Sequence, residues 1–129
     1  MVKGRLLLLA GAIAAVGMTA SISADYLQGA RKTMYLTFSQ PIALPGVTLG
    51  AGSYIFELRD PVDHWRVVEV LSRDRAHSYF SGRTNLVERP DGMTRDHVIT
   101  FGEVPKGNAQ PIQTWWPYNE AMGREFVRK

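Results

Sequence analysis

Residues 53–59, SYIFELR, decide how this chain folds. Tyr54, Phe56 and Leu58 alternate with Glu57 and Arg59, and an extended strand sends successive side chains to opposite faces. One face is therefore apolar and the other charged, the pattern of a strand half-buried in a sheet. Gly50-Ala51-Gly52 before it and Asp60-Pro61-Val62-Asp63 after it are turn sequences, because glycine accepts positive φ and proline presets the entry of a reversal.

The same alternation extends outward in both directions. Thr33 to Ser39, TMYLTFS, sets Met34, Leu36 and Phe38 on one face. Pro41 limits pairing after it, since proline has no amide hydrogen for a ladder. Pro45-Gly46 is a turn, and only a short strand fits from Val47 to Leu49. His64 to Leu71, HWRVVEVL, carries Val68 and Val70 on one side and Trp65, Val67 and Leu71 on the other, which predicts a central strand covered on both faces. Ser72 to Arg75 turns the chain, and Ala76 to Val87 is a long strand in which Gly82 marks a bulge or bend. Arg89-Pro90-Asp91-Gly92 is a turn; His97 to Gly102, Pro111 to Trp116 and Glu125 to Arg128 complete the series. No segment after Asp25 keeps a helical period. Short strands at this spacing predict an all-β fold, a small antiparallel β-sandwich or partly open barrel of about seven to eight strands.

The first 25 residues, MVKGRLLLLAGAIAAVGMTASISAD, follow another plan. A basic start (Lys3, Arg5), an apolar run and small polar residues ending at Ser23-Ala24 match a secretory signal peptide, a leader helix over residues 1–24 cleaved after Ala24. The apolar run is about 15 residues, short of the roughly 20 that span a bilayer. The competing reading is an uncleaved membrane anchor. Cleavage leaves residues 25–129 as a single β domain, exported to the periplasm or exterior, with no stable membrane insertion afterwards.

The formal charge of the 129 residues is +3. Loss of Lys3 and Arg5 leaves 13 basic against 12 acidic side chains, a balance that argues against nucleic acid as a partner. The chain has no cysteine, so disulfides, thiolate metal sites and a thiol nucleophile are excluded together.

The pattern Phe38-x-x-Pro41-Ile42-x-Leu44-Pro45-Gly46-x-x-Leu49-x-x-Gly52-x-Tyr54-x-Phe56-x-Leu58 resembles that of a group of small exported bacterial proteins of the type found in Acidobacteria. Val67-Val68-x-Val70, Ile99-x-Phe101-x-Glu103, Trp115-Trp116-Pro117 and Gly123-x-Glu125-Phe126-Val127 extend the likeness over nearly the whole domain. Where those relatives place glycine after the tail proline, this chain has Tyr118. The Leu-Pro-Gly and Gly-x-Tyr elements also resemble hairpins of transthyretin-like and carboxypeptidase-regulatory-like sandwich modules. The resemblance implies an exported β domain and no particular chemistry.

Candidate chemistry is sparse. The histidines are His64, His77 and His97, and Asp60, Asp63 and His64 cluster, as do Asp96 and His97. A catalytic zinc needs about three such ligands and an open position, so these pairs would have to meet; at strand starts they read as ordinary turn residues, and no metal site is expected. No serine lies in a Gly-x-Ser-x-Gly elbow, and Glu57, Glu69, Glu103 and Glu125 are scattered. Glu69 is expected to pair with Arg66, Arg73 or Arg83 rather than to act as a catalytic acid. The glycines sit in turns between strands, so no phosphate cradle or cofactor site is expected.

The remaining candidates are aromatic. Trp115 and Trp116 are adjacent, so one indole enters the core while the other faces out or lies beneath a loop, with residues 118–123 as the nearest cover. Packing is the expected role of both, with Tyr118 alongside. The functional alternative is an aromatic platform for a sugar ring built from Trp115, Trp116, Tyr118 and Trp65, with Tyr79 as a further member. The resulting expectation is a non-enzymatic envelope or secreted interaction module with a protein or glycan partner; the alternative is a carbohydrate-binding module or small polysaccharide-acting hydrolase.

Overall fold

The computed structural model describes residues 22–26, 33–103, 107–118 and 120–128. Residues 1–21 of the expected leader lie outside the described residues, and its last three, 22–24, are extended as part of a strand instead of helical. The strands are β1 (Ile22–Tyr26), β2 (Thr33–Phe38), β3 (Ile42–Leu44), β4 (Val47–Leu49), β5 (Gly52–Arg59), β6 (Val67–Ser72), β7 (Ser78–Arg83), β8 (Asn85–Glu88), β9 (Ile99–Phe101), β10 (Gln110–Trp115) and β11 (Met122–Glu125). One 3-10 turn, Pro61–Asp63, separates β5 from β6. Among the described residues no helix is long and apolar enough to cross a membrane.

Two sheets face each other as an all-β sandwich. The first has the order β1-β2-β5-β6-β7 and is antiparallel throughout. The second has the order β4-β3-β10-β11-β8, with β9 also paired to β10; β3 and β10 run parallel, and its other pairs are antiparallel.

The core lies between them and follows from period two. Met34, Leu36 and Phe38 of β2, Phe56 and Leu58 of β5, and Val68 and Val70 of β6 point inward from the first sheet. Ile42, Leu44, Leu49, Ile99, Ile112, Trp115 and Phe126 meet them from the second side. Phe56 and Trp115 join the layers edge to face with ring centroids 5.5 Å apart, and Phe80 and Phe126 repeat that contact at 5.5 Å. Such pairs add to the burial of large apolar area.

Three details depart from the sequence reading. The strands number eleven among the described residues, not seven or eight, because β1 and β3 are not among the expected strands and one long stretch splits where the chain changes sheet. Residues 76–87 break at Thr84, a buried residue whose amide and hydroxyl both donate to the Arg66 carbonyl, at 2.9 and 2.5 Å. The chain leaves the first sheet as β7 and enters the second as β8 at that point. Gly82 is not the bend; the irregularity in β7 falls between the partners of Val70 and Leu71.

The second departure is at residues 60–66. Asp60, His64 and Trp65 all have left-handed backbones, with φ of 65°, 58° and 58°. The Asp60 carbonyl accepts from the Asp63 and Trp65 amides, so β6 starts at Val67 rather than His64. Trp65 therefore packs against the inner core and does not share the face of Glu69. The third is Ile55, fully buried on the outer face of the first sheet, where its cross-strand neighbours are Tyr35 and Leu71.

Candidate functional site

The tail aromatics part company at the end of β10. Trp115 is 0% exposed and Trp116 is 4% exposed, so both indoles are inside. Adjacent side chains must take opposite faces, and each face has its own cover. Trp115 enters the main core against Phe56. Trp116 is sealed on the far side of the second sheet, its ring against Gly123 of β11. The Arg89 guanidinium lies over that ring at 5.1 Å.

Trp116 is thus covered by the 89–98 turn as well as by Gly123, the last residue of the expected 118–123 cover. Arg89 donates to the carbonyls of Thr94 at 2.9 Å and His97 at 3.3 Å, and the Trp116 amide donates to the Val98 carbonyl at 2.8 Å. Trp116 Nε1 donates to Thr100 Oγ1 at 2.9 Å, and the same hydroxyl lies 3.0 Å from His97 Nε2. An indole N–H can only donate, so Thr100 Oγ1 accepts from Trp116 and joins the indole to the His97 ring.

Tyr118 is 49% exposed, and its amide donates to the Met34 sulfur at 3.3 Å across the sandwich. Trp65 is half-buried against the core. The four residues expected to form a platform do not present their rings on one open surface, because packing has consumed the tryptophans. An aromatic group that does reach solvent lies at the other end of the first sheet. Tyr79 is 37% exposed, meets Tyr54 edge to face at 5.7 Å and stacks with the exposed His77 at 6.3 Å. Tyr54 is fixed in turn by its hydroxyl, which donates to the Gly50 carbonyl at 2.6 Å. Burial first, and the neighbouring Tyr79, push the Tyr54 phenol above its ordinary value.

Beside that group, the outer face of the first sheet carries a lattice of charges. Glu57 and Glu69 are cross-strand partners. Arg59 Nη2 lies 2.8 Å from Glu57 and 2.9 Å from Glu69. Arg75 donates to both Glu57 oxygens at 3.2 and 3.1 Å, Thr33 Oγ1 adds a 2.7 Å bond, and Ser78 Oγ donates to Glu69 at 2.8 Å. Burial pushes the Glu57 carboxyl up, but Arg75, Thr33 and Arg59 together hold it below the usual carboxylate range. The Arg73 guanidinium lies 4.6 Å over the Tyr35 ring on the same sheet. Glu69 is ion-paired as the sequence led one to expect, but through Arg59 and not Arg66, Arg73 or Arg83. The clue was in the sequence, since Glu57 and Arg59 share a face two residues apart; the register that brings Glu69 beside them is a long-range property.

The Asp-His pairs are occupied separately. Asp63 accepts from Arg83 Nε at 2.7 Å and from Nη2 at 3.2 Å, and these bonds hold its carboxyl low. Asp96 accepts from Thr94 Oγ1, which likewise holds it low. Among the described residues no three His, Asp or Glu side chains group around a common point where a metal ion would fit. An open cleft of about 510 Å³ lies between Leu44, Pro45, Gly46, Val127 and Arg128. Its one charged member is engaged, because Arg128 donates to the Ile112 and Ala43 carbonyls at 2.8 Å each.

Comparison of the chain with models of protein families, with characterised proteins and with solved structures finds no match.

Proposed function

We propose that this chain is an exported, non-catalytic β-sandwich that works by contact, as an interaction or structural module of the cell envelope or its surroundings. The observation that carries the reading is the outer face of β5 and β6. Glu57 is closed by Arg59, Arg75 and Thr33, and Glu69 by Arg59 and Ser78. Paired and pre-organised groups suit a stiff recognition surface, which loses little freedom on binding. They do not suit a general acid, which needs a proton to give near its working pH. Export rests on the leader sequence, and the likeness to small exported bacterial β domains agrees with it.

The test uses the chain expressed with its own leader. Fractionation and N-terminal sequencing should place it outside the cytosol with Asp25 first. Immobilised on the envelope fraction of its host, wild-type protein should retain a partner that the double variant Arg59→Ala, Arg73→Ala releases while its circular dichroism stays unchanged. Retention unaffected by that variant would remove the outer face from the proposal.

The second reading, a carbohydrate-binding module or small polysaccharide-acting hydrolase, is favoured by one feature: the exposed Tyr79 edge stacked with His77. Sugar rings pack on such surfaces. Binding on a glycan array that is lost in Tyr79→Ala would establish it over the first.

A further inference from the structure

β1 is the end strand of the first sheet. It pairs with β2 in the register Ile22 to Phe38, Ser23 to Thr37, Ala24 to Leu36, Asp25 to Tyr35 and Tyr26 to Met34. The leader junction, between Ala24 and Asp25, falls in the middle of this strand. Cleavage there removes the partners of Leu36, Thr37 and Phe38 and leaves on Tyr35 and Met34 only a two-residue stub, Asp25 and Tyr26, which a second strand pairing about Tyr35 has to displace.

The edge so uncovered has the sequence TMYLTF. It has no charge, proline or glycine, and so lacks the devices by which natural edge strands resist pairing. Nor can it turn away, because Met34, Leu36 and Phe38 are fixed in the core. Residues 33–37, TMYLT, read almost the same in both directions about Tyr35. A two-fold contact requires a self-complementary surface. Antiparallel pairing about Tyr35 sets Thr33 against Thr37 and Met34 against Leu36. Cross-strand partners share a face, so core residues meet core residues and outer residues meet outer residues, with no like charges opposed.

We infer that removal of the leader converts β2 into a self-pairing edge, through which two copies of the exported chain join their first sheets into one continuous sheet. The inference rests on the export reading and adds a partner to it: a second copy of this chain. Two strands of six residues form a small contact, so the dimer forms and dissociates with concentration. Across the two-fold axis the two outer faces merge, with a Tyr35–Arg73 pair from each copy at the centre.

The test begins with the first residue of the exported protein, followed by sedimentation equilibrium over a dilution series. The expected result is a chain beginning at Asp25 whose mass doubles with concentration. Excess synthetic peptide of residues 22–26, ISADY, should refill the edge and return the protein to monomer. Tyr35→Lys alone and Tyr35→Glu alone should each be folded and monomeric, because like charges then oppose each other across the axis. An equimolar mixture of the two should dimerise again, which a folding defect would not permit. A chain beginning at Asp25 that stays monomeric at all concentrations overturns the inference, including one that binds the peptide as a monomer. So does a dimer indifferent to both peptide and Tyr35 variants. An exported chain that begins at or before Ile22 keeps β1, which overturns the inference and leaves export intact; a chain retained in the cytosol overturns the export reading itself.

Discussion

Glu57 and Glu69 stand directly opposite each other on β5 and β6, and a single nitrogen of Arg59 lies 2.8 Å from the first carboxylate and 2.9 Å from the second. Like charges opposed across a strand pair destabilise a sheet, so the arginine turns a repulsive pair into a bridge. Arg59 is 47% exposed at its side chain, and the bridge is screened accordingly. Arg59→Leu should therefore cost only about 0.5 to 1 kcal/mol near neutral pH, measured by urea unfolding.

The same cluster predicts an acid response. Glu57 is depressed below its ordinary value in the folded state: burial opposes the shift, and Arg75, Thr33 and Arg59 outweigh it. A carboxylate with a lowered folded pKa stabilises the fold above its unfolded pKa, and that contribution is lost as pH falls through the folded value. The urea midpoint should drop between about pH 5 and pH 2, and Glu57→Gln should flatten the drop. Parallel curves for wild type and variant would show that Glu57 is not responsible.

Gly123 and Gly82 offer a matched pair of substitutions. A Cβ at Gly123 would lie 2.5 and 2.6 Å from the Trp116 ring and 2.9 Å from Thr114 Cγ2. That ring is held by Thr100 and Arg89, and the Trp116 backbone amide by the Val98 carbonyl, so the ring has little room to yield. Gly123→Ala should cost about 1 to 3 kcal/mol or more, the usual penalty for overpacking. At Gly82 the nearest atom is Phe80 Cζ at 2.8 Å, the end of one half-buried ring held by its contact with Phe126, so Gly82→Ala should cost less than Gly123→Ala, which meets two buried side chains. The comparison is read in urea midpoints at unchanged slope.

The contrast between legible and hidden features follows from what period two encodes. The inward sets of β2 and β5 were readable, because alternation within one strand is local and burial follows it. The class of fold was readable for the same reason. Residues 64–66 were not: HWRVVEVL continues the alternation, and nothing local tells His64 and Trp65 to adopt positive φ, which side chains with a Cβ avoid. The turn closes through amide bonds to the Asp60 carbonyl and is tied from β11, where Arg124 Nε donates to the Trp65 carbonyl at 2.8 Å. The two tryptophans were half-readable. Opposite faces followed from adjacency, but the seal over Trp116 comes from Arg89, which lies 27 positions earlier in the sequence. The outer charge lattice was likewise split between a local pair, Glu57 and Arg59, and a register that only the folded sheet supplies.

The tail aromatics should separate by mutation. Trp115→Ala empties the contact with Phe56 between the sheets and should cost about 3 to 5 kcal/mol. Trp116→Phe keeps a ring beside Gly123 but removes the hydrogen bond to Thr100, and should cost about 0.5 to 1.5 kcal/mol for that bond plus a packing term. Tyr118→Ala touches a half-exposed ring and should fall below both. Equal losses at Trp115 and Tyr118 would contradict the placement of the core.

Arg124 gives the strongest test of how the two sheets are tied. It is 2% exposed, and its three nitrogens diverge: Nε to the Trp65 carbonyl at 2.8 Å, Nη1 to the Met122 carbonyl at 2.7 Å and Nη2 to Glu120 at 3.3 Å. Burial pulls the guanidinium below its ordinary value against the opposing pull of Glu120, yet a guanidinium remains protonated. Arg124→Leu fills much of the volume but strands two carbonyls, each costing about 1 to 3 kcal/mol when buried without a partner. Arg124→Lys should rescue little, since one ammonium on a flexible stem cannot reproduce three fixed directions. Because the lost bond to Trp65 ties the left-handed turn to β11, both variants should also loosen the 60–66 segment before the rest of the sandwich. Amide exchange read residue by residue checks this: faster exchange at Trp65 and Asp63 with β2 and β5 still protected is the expected result, and uniform loss across both sheets would show that Arg124 serves global stability alone.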